Sequence, residues 1–305
     1  ICDYPAGLWE CAARNNPAGI LPRVIEKTLT TAQRNTAFPS REILQNGEAI
    51  HEIIQLPVRM LRRFRIFCPY GKKRRCRLIE LCSNLVIGGT TPTLALYEQI
   101  RNQTDIRIHV LIRPRFGDFL YSEDEAALIC KEIDAFRTAG ADGVVIGSLS
   151  PDGSLCTEQM KRFREHARDM SVTLHRAFDM CRDPFAALEE AISLDIQTIL
   201  TSGQAPDCLH GVDLLNKLHQ AADGRIHLLA GAGVSAKTVP ALLEKTPLTQ
   251  FHMSGKTIRN SEMVYRNPEV FMGIPGMSEY EIWQTDPDAV AAVRTMLNRA
   301  ADEEA

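Results

Sequence analysis

Residues 172–180, VTLHRAFDM, start as an apolar strand and finish with His175, Arg176 and Asp179 inside five positions. A strand that only fills a core has no use for three such groups. Helical patterns flank the stretch. One precedes it, and Asp183-Pro184 opens the next, with proline in the first turn where its missing N–H costs least. The stretch therefore reads as one strand of a repeating βα unit that delivers polar side chains to a shared mouth.

Six further runs share this character: RLIELC (77–82), RIHVLIR (107–113), DGVVIGSL (142–149), IQTILTSG (196–203), RIHLLAGAG (225–233) and TQFHMSG (249–255). With SVTLHRAF (171–178) they start 24–35 residues apart, the length of a βα unit. Amphipathic stretches lie between them. In EDEAALICKEIDAFRT (123–138), Ala126, Ala127, Ile129, Cys130, Ile133 and Phe136 recur at helical spacing. Nearly continuous apolar strands imply burial on both faces, as in parallel sheets. Seven units without a break in composition predict a (β/α)8 TIM barrel. A doubly wound open sheet is the alternative, but its GxGxxG turn is missing. Closure needs an eighth strand, and no further run reads as one convincingly.

In such a barrel the C-terminal strand ends form one face where ligand-handling groups collect. The runs bring Glu80 and Cys82; Arg113, Arg115 and Asp118; His175, Arg176 and Asp179; Thr201, Ser202, Gly203 and Gln204; Gly231 and Gly233; and His252, Ser254 and Gly255. Arg113 and Arg115 suit bidentate binding of a carboxylate or phosphate. Asp118, Arg176, Ser202, Gly203, Gly231, Gly233 and Ser254 are the further expected anion or substrate contacts, the glycine turns offering backbone N–H groups. His175, Asp179 and Glu80 are the expected acid–base groups. Each has a structural alternative. His175 and Arg176 are neighbours, so they point to opposite sides of a strand. Glu80 could serve a structural ion pair. Cys82 is the best-placed thiol for a soft metal such as Cu(I), with Met180-Cys181 and His252-Met253 as other soft donors. Against this, buried cysteines and methionines mostly fill cores.

The chain has 305 residues, and no apolar run approaches the roughly 18 residues of a membrane span. Its nine cysteines are scattered and form no CxxC pair, so neither a disulfide framework nor a structural zinc site is expected. Charge divides the chain. Residues 1–77 hold 14 Lys+Arg against 6 Asp+Glu, and the remainder 21 against 32. Nine of those basic residues fall in 59–77 with no acidic one among them. This run could be a nucleic-acid arm or a nuclear-localisation signal, but charge runs alone are poor evidence. Residues 1–76 are therefore set apart as an atypical basic segment, unstructured or mis-assembled, from a barrel domain over 77–305.

Several motifs together resemble the CutC copper-homeostasis family: IELC (79–82), GGTTPT (88–93), IRPRFGDFLYS (112–122), GADGVVIGSL (140–149), VTLHRAFDM, ILTSGQ (199–204), LAGAGV (229–234), FHMSG (251–255) and YRNP (265–268). The resemblance covers about residues 77–300. It implies a TIM barrel, a cytoplasmic place, a copper-homeostasis role with Cu(I) binding, and a homo-oligomer, often a dimer; the nucleus, which the basic run suggests, is the alternative place. It also implies that Cys82 is a copper ligand and that Glu80, Arg113, Arg115, Asp118, His175, Arg176 and Asp179 line the mouth. One feature departs from the family. No E-[IV]-C strand precedes the IELC run, and GKKRRCRLIELC stands where GADRIELC is usual. By that comparison the first barrel strand is expected to be absent or atypical, and the second family thiol is missing. The leading expectation is a CutC-type copper protein. The alternative is an enzyme acting on a small phosphorylated or carboxylated metabolite at the arginine-rich mouth. Nucleic-acid binding is the weakest reading, and no membrane partner is expected.

Overall fold

The computed structural model describes residues 64–69 and 78–303, apart from Pro268 and Pro275. Most of the basic run and the expected boundary at residue 76 lie outside the described residues.

Each of the seven predicted runs contains a strand, shorter than the run itself. They are β2 (Leu78–Leu81), β3 (Arg107–Leu111), β4 (Gly143–Ile146), β5 (Ser171–Leu174), β6 (Thr198–Thr201), β7 (His227–Ala230) and β8 (Gln250–Met253). Successive strands pair in parallel from β2 to β8. The barrel is closed by β1 (Phe64–Pro69), which pairs antiparallel with both β2 and β8. The first strand is thus present but reversed, and it comes from the segment set apart in the sequence.

The helices alternate with the strands: α1 (Leu94–Arg101), α2 (Glu123–Thr138), α3 (Thr157–Ala167), α4 (Pro184–Ser193), α5 (Val212–Ala222) and α6 (Val239–Lys245). α2 spans the predicted stretch residue for residue, and a cap specifies its start. Ser122 accepts from the Glu125 N–H and Glu125 accepts from the Ser122 N–H, a reciprocal cap that satisfies two orphan donors. Ala127, counted on its apolar face by spacing, is exposed instead. α4 is capped by Asp183, which accepts from the Phe185 and Ala186 N–H groups.

Strand alternation sorts the side chains into two sets. Ile79 and Leu81, Ile108 and Val110, Val144 and Ile146, Val172 and Leu174, and Phe251 and Met253 point outward. They join Ile129, Ile133, Met160, Phe163, Leu215 and Leu218 from the helices in one core. Burying each such side chain contributes about 1.5–3 kcal/mol, and this layer holds the helices to the barrel. The intervening positions face the lumen, and many are polar: Glu80, His109, Thr173, His175 and His252 are all buried.

After β8 the chain leaves the barrel as a hairpin, β9 (Lys256–Asn260) paired antiparallel with β10 (Glu281–Thr285). It returns through α7 (Pro287–Glu303), whose Val290, Val293 and Leu297 rejoin the core.

Candidate functional site

The lumen and the mouth above it hold the polar strand-end groups. Deepest lies the β2–β8 pair. Glu80 Oε2 meets His252 Nε2 at 3.2 Å, both side chains shielded from water. His109 on β3 is in register with Glu80, so it faces the same space. Burial pushes His109 down to about 4, against the opposing pull of Asp142 and Glu80, so it is neutral at pH 7. Two glycines of β4 and the turn after it make room for imidazoles. A Cβ on Gly143 would stand 2.5 Å from the His109 ring, and one on Gly147 would stand 2.6 Å from the His175 ring.

His175 sits at the mouth. Its Nδ1 accepts the Ala177 N–H at 3.1 Å, so in the neutral ring the proton is on Nε2. The Phe119 ring packs on it at 4.7 Å between centroids, tilted by 44°, and the Arg113 guanidinium lies 5.0 Å from the Phe119 ring. Phe119 thus touches both Arg113 and His175.

The expected anion-binding arginines are tied to the loops. Arg113 is buried and donates to the carbonyls of Ile87 (3.4 Å), Gly89 (3.2 Å) and Gly117 (2.7 Å). It thereby joins the loop after β2 to the loop after β3. Arg115 donates to Glu125 and to the carbonyls of Phe116, Asp118 and Leu120, and pairs with the Asp118 carboxylate at 2.9 Å. Asp118 itself is largely exposed. These two arginines shape loops around the mouth and present few donors to a ligand.

Asp179 is placed in the same way. Its Oδ1 accepts from Thr201 Oγ1 (2.6 Å), the Ser202 N–H (3.0 Å) and the Gln204 N–H (3.2 Å). Its Oδ2 accepts from Arg176 Nε (2.6 Å), Ser202 Oγ (3.0 Å) and again the Ser202 N–H (3.0 Å). Thr201, Ser202 and Gln204 thus form a cradle that this chain's own Asp179 carboxylate fills, and the expected anion contact Ser202 is engaged by it. The cradle sews the turn after β5 to the turn after β6. Arg176 also reaches Ser202 Oγ at 3.0 Å, and its side chain remains 42% exposed. Among the described residues it is the expected arginine with most access to a solute.

The glycine turns have local duties. A Cβ on Gly231 would collide with Leu200 at 2.5 Å. Gly233 has φ 78° and lies against Asp207, so its turn needs the left-handed backbone that glycine tolerates. Ser254 offers its carbonyl to Thr285 Oγ1 at 3.0 Å, tying the hairpin to the barrel.

Cys82 is wholly buried, on the lumen side, in a small cluster with Leu85, Leu111 and Val145. Leu85 belongs to the loop after β2, which folds back so that Ser83 and Thr90 exchange two backbone hydrogen bonds of 2.9 Å. The other soft donors lie elsewhere. Met253 points outward into the core, Met180 is exposed, and burial pushes the Cys181 thiol up to about 11. Among the described residues no group of three His, Cys, Asp or Glu side chains is arranged to hold a metal. The reversal of β1 matters here too. Phe67 pairs with Leu78, so Cys68 lies beyond the start of β2 while Cys82 lies beyond its end. Five residues of strand separate them, about 16 Å.

Sequence reasoning missed His109, Phe119 and Gly147. Two glycines four apart in one predicted strand run, Gly143 on β4 and Gly147 just after it, mark one face where neighbouring side chains need room. That spacing was the available signal.

Comparison with known proteins gives a consistent result. The model of the CutC family matches residues 71–257. A CutC family protein of Vibrio campbellii is 44% identical over 222 residues, covering 72% of this chain and 90% of its own. One from Bacteroides fragilis is 44% identical over 216 residues, covering 70% and 86%. Among solved structures, a candidate copper homeostasis protein CutC from Streptococcus agalactiae superposes with a TM-score of 0.55 at 25% identity, covering 57% of this chain and 86% of that one.

Proposed function

The chain belongs to the CutC family, and from that premise we propose that it serves copper homeostasis in the cytoplasm by receiving Cu(I) through the Cys82 thiol. The place of that thiol carries the reading. It follows β2 on the lumen side and is walled by Leu85, Leu111 and Val145. A soft ion prefers thiolate to oxygen donors, and an apolar shell keeps competing water away. A reducing compartment suits both Cu(I) and the thiols. X-ray absorption on the copper-loaded chain tests the reading. Sulfur scattering that disappears in Cys82→Ser supports it, and nitrogen or oxygen scattering alone in the wild type overturns it.

A second reading, an enzyme acting on a small anionic metabolite, is favoured by one observation. Glu80, His109 and His252 are buried in a lumen where a purely structural barrel packs Val, Ile and Leu. In that reading the Glu80–His252 pair and His175 move protons, and Arg176 rather than Arg113 or Arg115 meets the anion. Inorganic phosphate should then raise the Tm of the wild type and not of Arg176→Ala.

A further inference from the structure

The chain that follows β2 lies over the lumen as a strap, residues 83–91. Its hydrogen bonds are largely its own. Ser83 and Thr90 exchange two backbone bonds of 2.9 Å, the Gly89 N–H donates to the Asn84 carbonyl at 3.2 Å, and Asn84 Nδ2 donates to Thr90 Oγ1 at 2.8 Å. A single 3-10 turn, Leu85–Ile87, forms its tip. Its far foot is fixed to the barrel. The Thr91 N–H donates to the Arg113 carbonyl at 3.0 Å, and the Thr91 hydroxyl donates to Glu132 Oε2 at 2.9 Å.

Three contacts hold the tip down. Leu85 is buried against Cys82, Leu111 and Val145. Arg113 donates to the Ile87 and Gly89 carbonyls. The third contact is the hairpin after β8, whose strand β10 lies against the turn Leu85–Ile87. The hairpin is clasped at its base, where Thr285 Oγ1 donates to the Ser254 carbonyl at 3.0 Å and the Asp286 N–H to the Gly255 carbonyl at 2.8 Å.

This closed position carries a cost. Thr257 pairs with Gln284 and Arg259 with Ile282, so these four share one face of the hairpin. On that face Arg259 Nε and Gln284 Oε1 are buried without a hydrogen-bond partner. A stranded polar atom disfavours the state that buries it.

We infer that strap and hairpin form one gate over the lumen. The hairpin lifts, breaking the Thr285–Ser254 clasp and returning Gln284 Oε1 and Arg259 Nε to water. The strap then swings out as one body about its feet at Cys82 and Thr91, and Leu85 leaves the lumen with it. Such low-cost local opening is distinct from global unfolding. The gate serves either reading of the lumen, since Cu(I) and a metabolite both enter past the strap. Its test uses neither, so its failure leaves both readings standing.

Alkylation of Cys82 by iodoacetamide in the native full chain, followed by peptide mass mapping, is the test. Cys208, also wholly buried, is the internal reference. In wild type Cys82 should react about tenfold faster than Cys208 or more, because it is reached by local opening. Thr285→Val removes the clasp and should speed Cys82 about fivefold, as for one net hydrogen bond, while Gln284→Leu removes the stranded acceptor and should slow it about fivefold or more. Cys208 should keep its rate in both. Equal rates for Cys82 and Cys208 in wild type overturn the inference, and so does a Cys82 rate that neither substitution moves. Hydrogen exchange of unmodified wild type gives a second reading without any variant. The Ser83 and Thr90 amides keep their mutual bonds through the swing, so they should be protected about tenfold more than the Cys82 thiol. Equal protection would show a strap that unravels instead, and would overturn the inference.

Discussion

Replacing Asp179 by Asn separates an architectural role from a proton-transfer role. The substitution keeps the size and one carbonyl oxygen. If that oxygen takes the Oδ1 place, the bonds from Thr201 Oγ1, the Ser202 N–H and the Gln204 N–H survive. The amide NH2 then takes the Oδ2 place and faces Arg176 Nε and Ser202 Oγ, which are donors there. Ser202 Oγ can turn fully to its other acceptor, the Ala205 carbonyl at 2.7 Å. Arg176 is half-exposed and can turn to water, so its share is discounted. What remains is the loss of a charge-assisted bond and a donor–donor contact in a buried place, about 2–3 kcal/mol. Urea unfolding at pH 7 followed by circular dichroism reads this directly. Arg176→Ala and the double variant complete a cycle, with an expected coupling of about 1 kcal/mol. A loss below about 0.5 kcal/mol for Asp179→Asn would refute the cradle as the seam between the two turns.

Three further outcomes follow from the same geometry. Gly147→Ala should cost about 1–3 kcal/mol in urea unfolding, because the new methyl meets the buried His175 ring at 2.6 Å and the Ala177 Cβ at 3.0 Å; a neutral result would show that the ring has room to shift. His109 should make the protein acid-sensitive. Its pKa is lowered from 6.5 to about 4, so the folded state binds fewer protons, and its contribution is full above about pH 6.5 and lost as pH falls toward 4. The loss is about 3 kcal/mol at most, and His109→Gln should flatten the stability slope across that window; an equal slope in both proteins argues against the assignment. Arg113→Lys should loosen the loop after β2, since a single ammonium cannot serve the carbonyls of Ile87, Gly89 and Gly117 together. Alkylation of Cys82, followed by peptide mass mapping, should then speed up about tenfold or more while Tm falls by only a few degrees; an unchanged rate would mean that the loop does not guard the thiol.

Much of the barrel was legible because its strands carry two messages at once. Outward positions such as Ile79, Val110, Val144 and Phe251 are apolar, and the runs end in polar residues where the mouth forms. Helix α2 was legible to the residue because Ser122 and Glu125 specify its start. The reversed β1 was not. Phe64–Pro69 lies in a basic stretch, and its direction is set by pairing with β2 and β8, far along the chain. The roles of the mouth residues were hidden for the same reason. Arg113 and Asp179 look like ligand groups until their partners appear, and those partners are carbonyls and amides 24 or more residues away in Gly89 and Gln204. His109 was masked by its apolar neighbours in RIHVLIR, and only the glycine facing it, Gly143, hinted at its ring.

The measurement that bears most directly on the proposed role is an anaerobic Cu(I) competition titration with a chromophoric chelator, on wild type and Cys82→Ser. The account predicts that wild type withdraws one equivalent of Cu(I) from the chelator and that Cys82→Ser withdraws far less, with both proteins equally folded. Equal withdrawal by the two proteins, or none by either, would contradict it and turn attention to the buried Glu80–His252 pair as the working part of the barrel.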